Sequence, residues 1–311
     1  MAKYRILSLD GGGLRGLITV RLLQQLNQTA STKGWLDKVD LIAGTSTGGI
    51  LALGIASGRS LEEMANLYLL EGPKIFDDSF WDNLRDLGKS VGADYSNKAL
   101  KKTLINTFGN QTLGDLSKKV TIPTFDLDNE SQDNTKRTWK PKIFHNFAGS
   151  DSDAKFLLSD VALYTSSAPT YFPSADGYID GGVFANNPSM VAMVQAISER
   201  NKNTERAKTD EIALLSVGTG VSLSYIKGPT LDWGYAQWVK PLINILMDGV
   251  AGISDYQAAQ LLGDSYHRLQ VVFDSKETIE LDDVSKLERM SEIGSTFDVK
   301  PTQAWLEKYW M

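Results

Sequence analysis

Two segments restrict the fold of this 311-residue chain most strongly. In each of them a predicted strand leads through a glycine-rich turn into a predicted helix. In the first, an apolar run at residues 4–9 ends in a glycine cluster, and apolar residues at helical spacing follow from 14 to 26. In the second, the apolar run 39–43 ends in the sequence GTSTGG at 44–49 and passes into a helical stretch at 50–56. Short buried strands that alternate with helices are typical of α/β folds.

The same alternation continues along the rest of the chain. Apolar runs predict further strands, and stretches of helical periodicity lie between them. The pattern therefore predicts a largely parallel sheet that is covered by helices on both faces. The further strands are expected at 120–125, 142–147, 212–217 and 269–273, and the helices near 97–107, 155–164, 188–200 and 255–264.

Composition narrows the class of protein. Hydrophobic residues make up 42% of the chain and charged residues 23%, which is ordinary for a globular protein. The length suits one α/β domain, so we expect a single domain over residues 1–311. A net charge of −6 gives no general electrostatic basis for binding nucleic acid, and none is expected as a partner. The absence of cysteine excludes disulfides and fits a reducing, cytoplasmic location.

The sequence predicts neither a signal peptide nor a membrane-spanning helix. Residues 1–5 run directly into the first strand, which leaves no apolar region for a signal peptide. No apolar run reaches the roughly 18 residues that a spanning helix needs. Any contact with a membrane is therefore expected to be peripheral, from the aqueous side.

The second glycine turn carries a candidate nucleophile. Residues 44–48 match G-x-S-x-G, the nucleophile elbow, with Ser46 at the centre. The flanking Gly44 and Gly48 permit a strained turn that lifts the hydroxyl above the sheet edge, at the positive end of the next helix. Developing negative charge is favoured there. The alternative is a turn of small residues that only packs a helix close to a strand.

The first glycine turn, DGGGLRG at 10–16, is a candidate anion site. Its consecutive N–H groups can point into one concavity, which in an acyl hydrolase would be the oxyanion hole, with Arg15 steadying the loop or the oxyanion. The same residues also satisfy G-x-G-x-x-G, the dinucleotide fingerprint. That fingerprint needs an acidic residue at the end of the second strand, where this chain has Ser46. Acyl transfer is the favoured interpretation.

A serine nucleophile needs a base, and the chain offers two kinds. Its two histidines, His145 and His267, lie in or beside predicted strands, where a histidine is more often structural. The order Ser46, Asp180, His267 nevertheless matches the Ser–Asp–His order of α/β hydrolases, so a triad stays open. Asp180 itself, followed by Gly181 and a sharp turn, is the second kind of base. Asp-Gly-Gly is a common turn and becomes informative only in combination.

In combination, the motifs at 10–16, 44–49 and 180–182 resemble the three signatures of the patatin-like phospholipase family, in that family's order. The resemblance covers roughly the first 220 residues. We therefore expect a motif-bearing core at about 4–220, with residues 221–311 completing the domain. Connecting segments that share the resemblance lie at 113–116, 165–173 and 216–220.

The resemblance implies a three-layer α/β/α sandwich with a mainly parallel central sheet. It also implies a Ser46/Asp180 dyad that works without histidine. The backbone amides of Gly12 and Gly13, with Arg15, would line the oxyanion hole, and no metal or organic cofactor is implied. The supporting glycines of the three motifs are Gly11, Gly16, Gly44, Gly48, Gly181 and Gly182.

The family's substrates are membrane or storage lipids, which it cleaves to free fatty acids. The resemblance therefore implies a lipid acyl hydrolase, a carboxylic-ester hydrolase of the phospholipase A or lysophospholipase type that acts through an acyl-serine. The expected partner is an acyl lipid, with peripheral contact at the membrane surface. A lipid or nucleotide sensor without catalytic activity is the alternative on the same fold.

Residues 225–253 are rich in apolar side chains, including Leu231, Trp233, Tyr235, Trp238 and Leu246. They suit either a lid or interfacial face at the entrance for lipid, or an ordinary core helix with its approach loop. The aromatic residues Trp305, Tyr309 and Trp310 near the C-terminus leave the same two interpretations open.

Overall fold

A seven-stranded sheet forms the centre of the described part of the molecule. The computed structural model describes residues 4–76, 93, 95–202, 204–223, 225–226, 232–274 and 277–311. The sheet has the order β4-β3-β2-β1-β6-β7, and β5 also pairs with β3. The strands are β1 Tyr4–Leu9, β2 Leu41–Gly44, β3 Lys119–Asp126, β4 Lys140–His145, β5 Tyr178–Asp180, β6 Ile212–Val217 and β7 Tyr266–Leu269.

The pairs β1–β2, β1–β6, β2–β3 and β6–β7 are parallel, whereas β4 and β5 run antiparallel to β3. Strands of a parallel sheet are buried on both faces and therefore read as continuous apolar runs. This accounts for IALLSV in β6, of which all six residues are buried.

Helices cover both faces of this sheet. Neighbouring residues of a strand point to opposite faces. Leu7 accordingly packs into a core cluster with α1, α2, α6 and α10, whereas Ile6 packs into a second cluster with α8 and α9. The helices are α1 Gly16–Leu26, α2 Thr47–Ala56, α3 Leu61–Asn66, α4 Gly72–Ile75, α5 Asn97–Phe108, α6 Leu158–Thr165, α7 Gly182–Ala185, α8 Ser189–Ile197, α9 Tyr235–Leu262, α10 Leu287–Thr296 and α11 Lys300–Tyr309.

The predicted fold class is therefore confirmed: the molecule is an α/β/α sandwich around a mainly parallel sheet. Several predicted bounds differ from the structure by two or three residues, and two elements differ by more. The strand expected at 269–273 is β7 at Tyr266–Leu269, because that is the stretch in register with β6. The helix expected near 255–264 is the end of α9, which spans 28 residues.

Residues after 220 contribute to the same layers. β7 extends the parallel sheet beside β6, and α10 packs against α1. Trp305 and Trp310 are buried in the larger core cluster, so these terminal aromatic residues serve packing. Among the described residues, no helix combines the length and the apolar character that a membrane-spanning segment requires.

Candidate active site

The sheet brings Ser46 and Asp180 together from distant parts of the sequence. β2 and β5 lie along the same edge of β3 and run toward each other, with Ala43 opposite Thr121 and Asp180 opposite Thr124. Three residues of β3, about 10 Å, separate the two pairs. The chain leaves the sheet within this gap, directly after β2, and Ser46 lies there.

The backbone at Ser46 is strained. Its φ of 56° lies in the left-handed region, which residues other than glycine rarely adopt and which costs of order 1–3 kcal/mol at a functional site. The turn is possible because a Cβ at Gly44 would collide with the carbonyl of Gly48. Ser46 immediately precedes α2, so its hydroxyl lies at the helix N-terminus, where negative charge is stabilised. The predicted elbow geometry is present.

Hydroxyl groups of neighbouring threonines hold this turn in place. The amide of Ser46 donates to Thr165 Oγ1 at 3.0 Å, and the Thr165 hydroxyl donates to the carbonyl of Pro123 in β3 at 2.6 Å. On the other side, Thr45 Oγ1 donates to the carbonyl of Ala185 at 2.6 Å. The elbow is thus anchored to the sheet and to α7.

Asp180 is a buried carboxylate whose hydrogen-bond donors among the described residues are neutral. It is 3% exposed, and Oδ1 accepts the amide of Gly182 at 2.7 Å. Burial raises the pKa of Asp180 to about 6, although hydrogen bonds from the Ser46 hydroxyl and the Gly182 amide act in the opposite direction. Within the described part of the chain, no cation forms an ion pair with Asp180.

The glycine loop after β1 leaves two backbone amides available. The amide of Gly11 donates to the carbonyl of Asn186 at 3.0 Å, and that of Leu14 donates to the carbonyl of Leu281 at 2.7 Å. Between them, the amides of Gly12 and Gly13 have no acceptor among the described residues. Gly13 has a φ of 56°, and a Cβ there would collide with Leu281, so the loop requires glycine at this position.

These groups share the wall of one apolar cavity of about 200 Å³. Ser46, Asp180, Gly12 and Gly13 lie on the wall, and most of the remaining lining is aliphatic or aromatic. A cavity of this kind suits an acyl chain whose reacting end must meet a few polar groups. Apolar residues of the wall include Ile50, Leu67, Ile75, Phe76, Leu100 and Phe172.

The residues that carry the three motifs are matched as a unit by a known family. The model of the family described as patatin-like phospholipase matches residues 7–193, which is more than half of the chain and includes the glycine loop, Ser46 and Asp180. The chain belongs to the patatin-like phospholipase family. Membership of this family is consistent with hydrolysis of lipid acyl esters.

Individual relatives agree with this membership. A cGAMP-activated phospholipase of Vibrio cholerae serotype O1 is 36% identical over 235 residues. The match covers 70% of this chain and 64% of the relative, which is less than two thirds of that protein's length. A cGAMP-activated phospholipase of Pseudomonas aeruginosa is 31% identical over 96% of this chain and 86% of its own length. Patatin-like protein 1 of Oryza sativa subsp. indica is 31% identical over 83% of this chain and 70% of its own length.

Arg15, which the resemblance placed at the oxyanion hole, keeps that role only as a prediction in this member of the patatin-like phospholipase family. It is not among the described residues that line the cavity. Its Nε is buried without a partner in the described part of the chain, and burial lowers the pKa of its guanidinium, while the charges of Asp248 and Glu280 oppose that change. The described structure therefore gives Arg15 no place on the cavity wall.

His267 also lies apart from the dyad. It belongs to β7, which lies three strands away from β2 in the sheet. His267 is aligned with Ile42 of β2, and about 14 Å of sheet separates the two strands at that level. Its Nε2 is 2.9 Å from Thr302 Oγ1, and its ring stacks on Trp305. The triad that the order of residues left open is therefore wrong in geometry, and His267 serves packing.

The segment predicted as a lid or core helix is largely the first part of α9. Leu246 and Met247 line the cavity, and Leu246 is 53% exposed, so this part of the helix borders both the cavity and solvent. Residues 227–231, with Leu231, lie outside the described residues, and the side chains of Tyr235 and Ile243 are likewise not described. This part of α9 is therefore a section of the cavity wall that also meets solvent.

Sequence reasoning missed the ion pair behind the glycine loop. Arg268 in β7 donates to both carboxylate oxygens of Asp10 and, at 2.7 Å, to Ser216 Oγ. Asp10 directly precedes the loop, so the pair ties the loop to two neighbouring strands. No local pattern indicates a partner so far along the chain. The role of Thr165 was also missed, although it begins one of the segments that carried the family resemblance.

Proposed function

We propose that this chain hydrolyses acyl esters of lipids, as a phospholipase A or lysophospholipase, through a dyad of Ser46 and Asp180. One observation carries the proposal: a buried carboxylate, which has no cationic partner among the described residues, accepts a hydrogen bond from the hydroxyl of a strained serine on the wall of an apolar cavity. Such a carboxylate is a candidate base, because its environment disfavours the charged form and raises its affinity for a proton.

In the first step, Asp180 accepts the proton of Ser46 while Oγ attacks the acyl carbonyl. A pKa near 6 supports this role, because a base works best when its pKa approaches the working pH. The amides of Gly12 and Gly13 would donate to the oxyanion of the tetrahedral intermediate. Arg15 is assigned no contact with the oxyanion.

The intermediate then collapses. The bond between the carbonyl carbon and the alcohol oxygen breaks, the alcohol takes the proton from Asp180, and the acyl group stays on Ser46. Water hydrolyses this ester in the second step and releases the fatty acid. The apolar cavity wall supports an acyl chain as the bound part of the substrate.

Hydrolysis of a short-chain p-nitrophenyl ester and of a phospholipid tests the proposal. We expect Ser46→Ala and Asp180→Asn to lose both activities by at least about a thousandfold, whereas His267→Ala keeps them. Circular dichroism verifies that each variant folds. Loss of activity in His267→Ala would instead support a triad, and an inactive wild type would support a sensor without catalysis.

A further inference from the structure

The three-residue segment 165–167, at the end of α6, contacts both members of the proposed dyad. Thr165 Oγ1 accepts the amide of Ser46 at 3.0 Å, and the carbonyl of Ser167 accepts the amide of Asp180, also at 3.0 Å. Ser166 lies between these two anchors and lines the cavity. Its position is therefore fixed relative to both catalytic groups.

The hydroxyl of Ser166 differs from those of its neighbours. Thr165 donates to the carbonyl of Pro123, and Ser167 donates to the carbonyl of Leu163 at 2.8 Å. Ser166 is only 7% exposed, yet its buried Oγ has no hydrogen-bond partner among the described residues. Burying a hydroxyl that makes no hydrogen bond is energetically unfavourable. We therefore expect the Ser166 hydroxyl to form a hydrogen bond with a molecule that enters the cavity during the reaction.

Few other polar groups on this wall are available to a small polar ligand. The hydroxyls of Thr47 and Tyr68 are bonded to each other at 2.5 Å. The remaining polar side chains on the described wall are those of Ser46, Ser166, Tyr171 and Asp180. A water molecule in an otherwise apolar cavity needs two to four polar partners. Once Ser46 carries an acyl group, Asp180 and Ser166 are the polar side chains whose backbone is held beside it by the segment 165–167.

We propose that the Ser166 hydroxyl binds the water molecule that deacylates acyl-Ser46, and that it shares this water with Asp180. The inference rests on the proposed function and assigns a role in its second step alone. Water donates one hydrogen bond to the Asp180 carboxylate, and the Ser166 hydroxyl fixes the oxygen facing the acyl carbon. Ser166 is thereby a catalytic residue for deacylation.

The step is balanced as follows. The water oxygen bonds to the acyl carbon while Asp180 takes one water proton. The tetrahedral intermediate collapses, the bond from that carbon to Ser46 Oγ breaks, and the proton on Asp180 passes to Oγ. The products are a free fatty acid and the original serine hydroxyl.

Rapid-quench mass spectrometry with p-nitrophenyl butyrate separates the two steps, because it follows formation and decay of butyryl-Ser46 directly. We expect Ser166→Ala to form the acyl-enzyme at the wild-type rate and to lose it about five- to tenfold more slowly, since one hydrogen bond to the water is missing. Ser166→Thr keeps a hydroxyl and is expected to restore the decay rate.

Ser159→Ala is the matched control. Ser159 is a buried serine of α6 that is not among the described residues lining the cavity, so neither rate should change. Equal slowing of formation and decay in Ser166→Ala would overturn the inference, because the hydroxyl would then act on the substrate or on the shape of the site. An unchanged decay rate would overturn it as well. Failure of the wild type to form butyryl-Ser46 would instead overturn the proposed function.

Discussion

Two buried aspartates share a local sequence pattern but differ in their hydrogen-bond partners. Asp10 directly follows strand β1 and Asp180 is the last residue of strand β5. Glycines come next in both cases, and both aspartates are 3% exposed. Asp10 receives a bidentate pair of hydrogen bonds from Arg268, whereas the carboxylate of Asp180 receives, among the described residues, only those of a hydroxyl and an amide. The comparison teaches that the same local sequence can place a carboxylate in an ion pair or beside a serine hydroxyl, so the motif alone does not decide its role.

The different partners of the two carboxylates have different consequences for stability. The guanidinium neutralises Asp10 and joins the glycine loop to β7 and to Ser216 of β6. Burial raises the pKa of both carboxyl groups. At Asp10 the charge and hydrogen bonds of Arg268 oppose the rise, whereas Asp180 has no such counter-charge among the described residues and its pKa is about 6. We expect the ion pair of Asp10 to matter most for stability, and the ionised form of Asp180 to reduce stability.

The largest expected effect comes from breaking the ion pair. Arg268→Met leaves Asp10 buried without its cation, and we expect it to lower the free energy of unfolding by about 3–5 kcal/mol. The double variant Asp10→Asn/Arg268→Met removes both charges and should regain much of that loss. Urea unfolding of the two variants measures the difference. A double variant as unstable as Arg268→Met would show that the charge left on Asp10 is not the cause.

Replacing Asp180, which has no ion-pair partner among the described residues, should raise the free energy of unfolding instead of lowering it. Because the pKa of Asp180 is about 6 when folded and about 4 when unfolded, ionisation destabilises the folded state as pH rises from 4 to 6. We expect Asp180→Asn to raise the free energy of unfolding by about 2–3 kcal/mol at pH 8, and this gain should vanish near pH 4.

Urea unfolding at pH 8 and pH 4 measures this gain. Asp210→Asn, at an exposed position, is the control and should change stability little at either pH. A loss of stability in Asp180→Asn at pH 8 would contradict the comparison, because the carboxylate would then be stabilising like that of Asp10.

The smallest expected effect concerns the anchor of the elbow. Thr165→Val removes the acceptor for the Ser46 amide, and we expect kcat/KM for a p-nitrophenyl ester to fall about five- to tenfold. Thr165→Ser keeps the hydroxyl and should stay close to wild type. Equal losses in both variants would assign the effect to the threonine methyl group and not to the hydrogen bond.

Much of this fold could be predicted from the sequence because strand and helix periodicity are local. Residues 4–9 and 212–217 became strands with the predicted bounds, and the GTSTGG turn lies between a strand and a helix as expected. The strand at 266–269 was placed too late, because the buried residues Val271 and Phe273 continue the apolar pattern after pairing with β6 has ended.

The site was harder to predict wherever it depends on tertiary contacts. Arg15 seemed suited to the oxyanion by its place in the motif, yet it is not among the described residues that line the cavity. Arg268 carries no motif, and its partner Asp10 lies at the other end of the chain. The Thr165 hydroxyl makes hydrogen bonds, whereas that of Ser166 has none among the described residues. This difference follows from packing, which residue types alone do not specify.

The pH dependence of kcat/KM tests most directly the claim that Asp180, unpaired and buried, is the base. We expect kcat/KM for a p-nitrophenyl ester to fall below an apparent pKa of about 6, because protonated Asp180 cannot accept the serine proton. The same fall of kcat/KM at low pH should appear in His267→Ala. A fall with an apparent pKa near 4, or one that is lost in His267→Ala, would contradict this assignment.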